Sequence, residues 1–259
     1  MHISTRLAQL MRDRRPAVGM WINMGDPALA RIAVAAGYDW MFIDTEHNPL
    51  TEADVRGLIF ALGGADVSSV VRVRANREEH IKWVLDCGAG GVMIPGVGGA
   101  DDVRHAVSIC KYHPLGMRGY GPNLATDFFT EVENYNANAN QNIVLICQIE
   151  LAEAVDHAEE ICGIPGLDAI WIGPTDLAQS LGHLGNPAHP DVQVHIDKII
   201  DAAQRAGMPW GIPTTTVEDY QRYVDRGATV MTLGSDTRML MNTARGLVSD
   251  ARESKGSRA

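Results

Sequence analysis

Two kinds of stretch alternate along this chain. Short runs dense in apolar, strand-forming residues occur at Ala17–Met24, Asp39–Thr45, Ser68–Arg74, Gly91–Val97, Ile143–Ile149, Ala169–Ile172, Met208–Pro213 and Thr229–Leu233. Runs such as Val-Leu-Ile-Cys and Ala-Ile-Trp-Ile show no polar alternation, as expected of strands buried on both faces. Between them, apolar residues recur with helical spacing at Pro27–Ala36, Glu52–Leu62, Arg77–Cys87, Ala100–Lys111, Ala152–Ile161, Val192–Ala206, Val217–Arg226 and Thr237–Ala251. Gly37, Gly63, Gly88, Gly207 and Gly227 follow helical stretches, where glycine accepts the left-handed conformation that ends a helix. Asp26-Pro27 reads as an N-cap followed by proline at the first helical position.

Unbroken strand–helix alternation, eight times over most of 259 residues, predicts an α/β fold, a (β/α)8 TIM barrel in a single domain. A doubly wound sheet shares the alternation. The count of eight, and the lack of a G-x-G-x-x-G after the first strand, favour the barrel. An N-terminal helix is expected before the first strand, and the tail 253–259 is expected to fray. The long interruptions are Tyr112–Asn142, rich in Gly, Pro and Asn, and Gly182–Pro190.

Composition narrows the function classes. With 22 basic and 32 acidic residues the formal charge is −10, a poor match for nucleic acid or an anionic membrane. No apolar run approaches the ~20 residues of a bilayer span. Met1–Arg15 lacks the apolar centre of a secretory signal, so a cytoplasmic protein is expected. Cys87, Cys110, Cys147 and Cys162 form no C-x-x-C pair and read as small buried hydrophobes.

In a barrel, chemistry stands at the C-terminal ends of the strands. There the second strand runs into Asp44-Thr45-Glu46-His47, and the third ends at Arg72 and Arg74. The fifth ends Gln148-Ile149-Glu150, and the sixth Gly173-Pro174-Thr175-Asp176. Read separately, each is what a solvated turn contains. Together they bring three carboxylate-bearing strand ends to one rim. Glu150 and Asp176 fall on adjacent strands, ~5 Å apart, where two carboxylates repel unless a cation lies between them or one is protonated. Oxygen ligation suits Mg2+ or Mn2+, with Co2+ or Zn2+ also admissible. The competing reading makes both residues helix caps. His47 is a candidate base. Arg72 needs an anionic partner, either a substrate or Asp44 or Glu46 in a structural ion pair.

Lysine separates two routes for a carbon–carbon lyase. A Schiff base needs a lysine at a strand end. Lys82 and Lys198 fall mid-helix, Lys111 ends a helix, and Lys255 is in the tail. If the protein is such a lyase, a metal-bound enolate is the route left.

At these residues the chain resembles the HpcH/HpaI family of metal-dependent pyruvate aldolases. The resemblance rests on Gly19-Met20-Trp21, Asp44-Thr45-Glu46-His47, Val71-Arg72, Gln148-Ile149-Glu150 and Gly173-Pro174-Thr175-Asp176-Leu177. Pro114-Leu115-Gly116-Met117-Arg118-Gly119 and Leu184-Gly185-Asn186-Pro187 resemble its connecting segments. It implies a barrel that assembles as a homohexamer, a trimer of dimers exchanging the last helix. It further implies that Glu150 and Asp176 ligate the metal, with Gln148 beside them. Arg72 would hold the keto oxygen of pyruvate. His47 paired with Asp86 would move protons, and Asp44 would order a water. The backbone at Gly173, Pro174 and Thr175 would take the pyruvate carboxylate, and Trp21 would close the pocket floor. The expected activity is cleavage of 4-hydroxy-2-oxo acids to pyruvate and an aldehyde. Tyr120, in Arg118-Gly119-Tyr120-Gly121-Pro122, resembles the macrophomate synthase branch, so an oxaloacetate decarboxylase or enolate-adding synthase, citrate-synthase-like included, is the second expectation. A catalytically silent keto-acid-binding barrel is the third.

Overall fold

The computed structural model describes residues 3–256. Helix α1 (Arg6–Arg12) precedes β1 (Ala17–Ile22), α2 (Pro27–Ala36), β2 (Trp40–Asp44), α3 (Glu52–Leu62), β3 (Ser68–Arg72) and α4 (Glu78–Asp86). Next come β4 (Gly91–Ile94), α5 (Ala100–Cys110), α6 (Val132–Asn142), β5 (Val144–Ile149), α7 (Ala152–Asp156), α8 (Ala158–Cys162), β6 (Ala169–Ile172) and α9 (Pro174–Ser180). The chain closes with α10 (Pro190–Ala206), β7 (Trp210–Gly211), β8 (Pro213–Thr214), α11 (Val217–Asp225), β9 (Val230–Ser235) and α12 (Asp236–Gly256). All strand pairings are parallel, in the order β7-β6-β5-β4-β3-β2-β1-β9-β8.

The ring closes through a broken strand. β7 pairs with β6 and β8 with β9, and the two are halves of the expected seventh strand, parted at Ile212. The Thr229 amide donates to the Trp210 carbonyl at 3.0 Å across the seam. Gly211 permits this, because a side chain there would collide with the Val230 carbonyl. The nine strand segments among the described residues are therefore the eight staves of a TIM barrel.

Strand parity sorts side chains into two cores. Ala17, Trp40, Phe42, Val70, Met93, Val144, Ile146, Ala169, Trp171 and Val230 point inward, and α1 adds Leu7, Leu10 and Met11 as a plug. Their neighbours, among them Met41, Ile43, Val71, Val92 and Ile170, point outward under the helices. Trp171 stacks on Phe42 and meets Trp40 edge-on, each at 5.8 Å. Each such large side chain contributes roughly 1.5–3 kcal/mol by burial.

Local signals set the helix starts. Asp26 accepts from the Ala28 amide at 2.8 Å ahead of Pro27, and Thr51 and Asp54 form a capping box on α3. The five glycines expected to end helices all take positive φ. Four elements differ from expectation. Helix α6 lies inside a stretch read as loop, since asparagine at every second position argues against a helix; buried Tyr135 and Ala139 hold it, with Asn140 bonded to both backbone groups of Tyr112. The expected fifth helix breaks at His157 into α7 and α8. Short α9 starts at Pro174, and α12 runs through residues 253–256, while 257–259 lie outside the described residues. Among the described residues no helix is long and apolar enough to cross a membrane.

Candidate active site

The parity that buries Trp40 and Phe42 also aims Asp44 inward, one position beyond them on β2. Ser68 and Val70 lead in the same way to Arg72 on β3, and Val144 and Ile146 to Gln148 and then Glu150 at the end of β5. At the C-terminal end the barrel interior thus exchanges its apolar layers for a charged one. Asp44, Arg72, Gln148 and Glu150 are all buried, Arg72 to 2% exposure.

Arg72 is the centre of this layer. Its Nε donates to Asp44 Oδ1 at 3.0 Å and its Nη2 to Asp44 Oδ2 at 2.8 Å, a two-pronged pair. Nη1 lies 3.1 Å from Glu46 Oε2 and donates to Gln148 Oε1 at 3.3 Å. The guanidinium also sits over Trp21 at 5.1 Å and Phe42 at 5.4 Å from the ring centres. Both structural partners considered for Arg72 are therefore engaged. Arg74 is not its companion: the strand ends at Arg72, and Arg74 turns away to donate to the Leu50 carbonyl at 2.8 Å.

Asp44 holds more than Arg72. It also accepts from Asn48 Nδ2 at 2.8 Å and from the amides of Glu46 and His47 at 3.1 and 3.4 Å. Burial raises its carboxyl, but Arg72 and the two amides outweigh that and hold it below the usual range. Glu46 goes the other way, raised mainly by burial despite Arg72.

Glu150 faces a different field. Its Oε1 accepts from the Gly96 amide at 2.8 Å, and Gln148 Nε2 donates to its Oε2, so Gln148 links Arg72 to Glu150. Burial, and next the charge of Asp176, push its carboxyl up to about 8. Asp176 stands in the first turn of α9, whose N-cap is Gly173. Neither carboxylate caps a helix: α7 and α9 begin without a side-chain cap bond. Two carboxyl groups near enough for the charge of Asp176 to raise Glu150, neither in an ion pair among the described residues and with oxygen donors only, fit a hard divalent cation. Gly173 is part of the cradle, since a methyl group there would run into the Glu150 carboxylate and the Gln148 amide.

The remaining expected residues divide. Trp21 packs edge-on against Phe42 at 4.5 Å and, with Pro174 and Thr175, lines a cavity of about 810 Å³. His47 is 57% exposed, with Nε2 3.6 Å from Glu46. Asp86 does not pair with it here: Asp86 accepts from Arg118 Nη2 at 2.7 Å, and among the described residues no hydrogen bond joins Asp86 to His47. Sequence reasoning missed Asn48 and the Gly96 amide. The Pro95-Gly96 turn after β4 was the available signal. Lys111 is buried and donates to Asp168 and to the carbonyls of Asn140 and Ile143, so its role is structural.

This rim stands at the C-terminal end of a parallel barrel, the end where such folds carry their chemistry. The chain belongs to the HpcH/HpaI aldolase/citrate lyase family, whose profile matches residues 17–243. It is 35% identical over 239 residues to the 2-dehydro-3,6-dideoxy-6-sulfogluconate aldolase of Pseudomonas putida, covering 92% of this chain and 94% of that one. It is 38% identical over 219 residues to the 5-keto-4-deoxy-D-glucarate aldolase of Shigella sonnei, covering 85% and 86%. Among solved structures, a family protein from Burkholderia cenocepacia superposes with a TM-score of 0.90 at 33% identity, covering 96% of this chain and all (100%) of that one. Macrophomate synthase superposes with a TM-score of 0.87 at 25% identity, covering 98% and 91%. The protein is an enzyme of the carbon–carbon lyase class, which sets aside the catalytically silent barrel.

Proposed function

We propose that this enzyme cleaves and forms 4-hydroxy-2-oxo acids, with pyruvate and an aldehyde as the two parts, through the enolate of pyruvate. The observation that carries this reading is the chain Asp44–Arg72–Gln148–Glu150, which sets a fixed cation beside a two-carboxylate site. Glu150 and Asp176 would hold the divalent metal. Bound there, it would polarise the keto oxygen and lower the cost of the enolate charge.

The protein's own groups supply the rest. In cleavage the 4-hydroxyl gives up its proton, the C3–C4 bond breaks, the aldehyde leaves, and the electron pair becomes the enolate. That enolate then takes a proton at C3. Arg72 faces the developing negative oxygen, preorganised by Asp44 and backed by Trp21 and Phe42. His47, exposed at the rim, is the proton carrier, and the pairing proposed for it with Asp86 requires Asp86 to exchange its Arg118 partner. The backbone from Gly173 to Thr175 would seat the pyruvate carboxylate.

Tyr120 supports a second reading, decarboxylation of oxaloacetate to the same enolate followed by addition to an acceptor. It stands 57% exposed on the 117–130 loop, bonded to Asn136 at 3.0 Å. Assembly by exchange of α12 draws support from that helix's exposed Leu240, Met241, Leu247 and Val248.

Deuterium exchange into the methyl group of pyruvate, followed by NMR with and without EDTA, tests the proposal. Exchange that stops with chelator and returns with Mg2+ or Mn2+ is expected. Absence of exchange with every divalent metal overturns it.

A further inference from the structure

Asp236, the first residue of α12, is buried to 3% exposure, and no cation pairs with it among the described residues. Hydrogen-bond donors take the place of a cation. Oδ2 accepts from the amides of Asn23 and Met24, both at 2.9 Å, just past the end of β1. Oδ1 accepts from Asn23 Nδ2 at 2.9 Å and from the Thr237 amide at 2.6 Å. Taking a carboxylate out of water is costly, and these donors offset the cost.

From Asp236 the hydrogen bonds continue toward the catalytic rim. Asn23 Nδ2 also donates to Thr237 Oγ1 at 3.0 Å, so both its protons are committed and Oδ1 faces the other way. There Oδ1 accepts from Asn48 Nδ2 at 2.9 Å, and the same nitrogen donates to Asp44 Oδ2 at 2.8 Å. That oxygen of Asp44 also accepts from Arg72 Nη2, at 2.8 Å. Neither amide can turn over. A reversed Asn23 would set oxygen against the Asp236 carboxylate, and a reversed Asn48 would set oxygen against both Asn23 and Asp44. An acceptor at the foot of α12 thus orients two amides in series, and the second of them fixes the carboxylate that holds Arg72.

We propose that Asp236 and Asn23 are positioning residues for Arg72, acting through Asn48 and Asp44. The inference rests on the aldolase reading of the rim, in which Arg72 faces the oxygen of the enolate. A guanidinium stabilises that charge best when it is fixed before the charge develops. Loosening the carboxylate behind it therefore lowers the rate of enolate formation and leaves ground-state binding alone.

Deuterium exchange into the pyruvate methyl group with Mn2+ tests this, since it reads enolate formation with no aldehyde present. Asp236→Asn keeps the shape but replaces an acceptor with a donor, setting donors against each other. Its kcat is expected to fall about tenfold, with KM for pyruvate and Kd for Mn2+ by calorimetry within about twofold of wild type. Asn48→Ala, one link from Asp44, is expected to lose at least as much. Links in series are not additive, so Asp236→Asn added to Asn48→Ala should slow exchange no further, within about twofold. An unchanged kcat in folded Asp236→Asn overturns the inference. So does an equal loss with and without Asn48, which would make Asp236 a clamp for the fold only. If Asp236→Asn does not fold, Asn23→Ala takes its place in the cycle, since it leaves both backbone bonds to Asp236 intact. Wild-type exchange with unaffected variants leaves the aldolase reading standing, whereas absence of wild-type exchange with every divalent metal overturns both.

Discussion

The two ends of the barrel use the same strands and the same inward parity for opposite purposes. At the N-terminal end Trp40, Phe42 and Trp171 fill the interior and α1 seals it with Leu7, Leu10 and Met11. At the C-terminal end the next inward positions are Asp44, Arg72, Gln148 and Glu150, equally buried but polar. An apolar layer gains stability from each side chain it buries, whereas a buried ionic layer gains little and is costly when one partner is lost. The contrast teaches that one end holds the fold and the other spends stability on chemistry.

Exchanging residues between these roles breaks the contrast most sharply. Glu150→Ala is expected to abolish metal-dependent methyl exchange, by about 10³-fold or more, while thermal unfolding stays within a few degrees of wild type. Full exchange in this variant removes Glu150 from the metal site. Trp171→Ala should do the reverse. Loss of its stacking partners costs about 3–5 kcal/mol in denaturant unfolding, with metal affinity of the folded fraction retained. Arg72→Lys keeps the charge but loses the two-pronged bond to Asp44, and a rate loss of about 10²-fold is expected; an unchanged rate excludes Arg72 from the enolate step.

Smaller effects sharpen the same comparison. Gly173→Ala pushes a methyl group into the Glu150 carboxylate and should weaken metal binding about tenfold by calorimetry without unfolding the barrel. The smallest effect is in pH. In metal-free protein the Glu150 carboxyl is raised from 4.5 to about 8, so the folded chain keeps a proton that the unfolded chain has already released. The stability this group contributes is therefore full below about pH 4.5 and is lost as pH rises through about 8. Thermal melts in EDTA from pH 5 to 9 should show this decline, and Glu150→Gln should flatten it. An identical slope in both proteins contradicts the shifted carboxyl.

Much of the site was legible because strand ends are readable in one dimension. The motifs around Asp44, Arg72, Gln148, Glu150 and Asp176 each follow an apolar run, and a parallel barrel sends every such end to one rim. Loops were less legible. The Met117–Thr130 segment, through Arg118 and Tyr120, and the asparagine-rich α6, through Asn140, all meet Tyr112, which adjoins them only after folding. The pairing expected for His47 with Asp86 shows the same limit, since Arg118 reaches Asp86 from a connection that spacing alone does not orient.

The sequence by itself determined the alternation, the number of units, the helix caps and the residues offered to the rim, because these follow from local periodicity and backbone preference. Only the tertiary structure decided which face of β3 looks inward, that Arg72 rather than Arg74 meets Asp44, and that Glu150 and Asp176 cap nothing. It also decided that the seventh strand closes the ring in two pieces. These are contacts between residues far apart along the chain, and the closure of the barrel, not the neighbouring sequence, sets them.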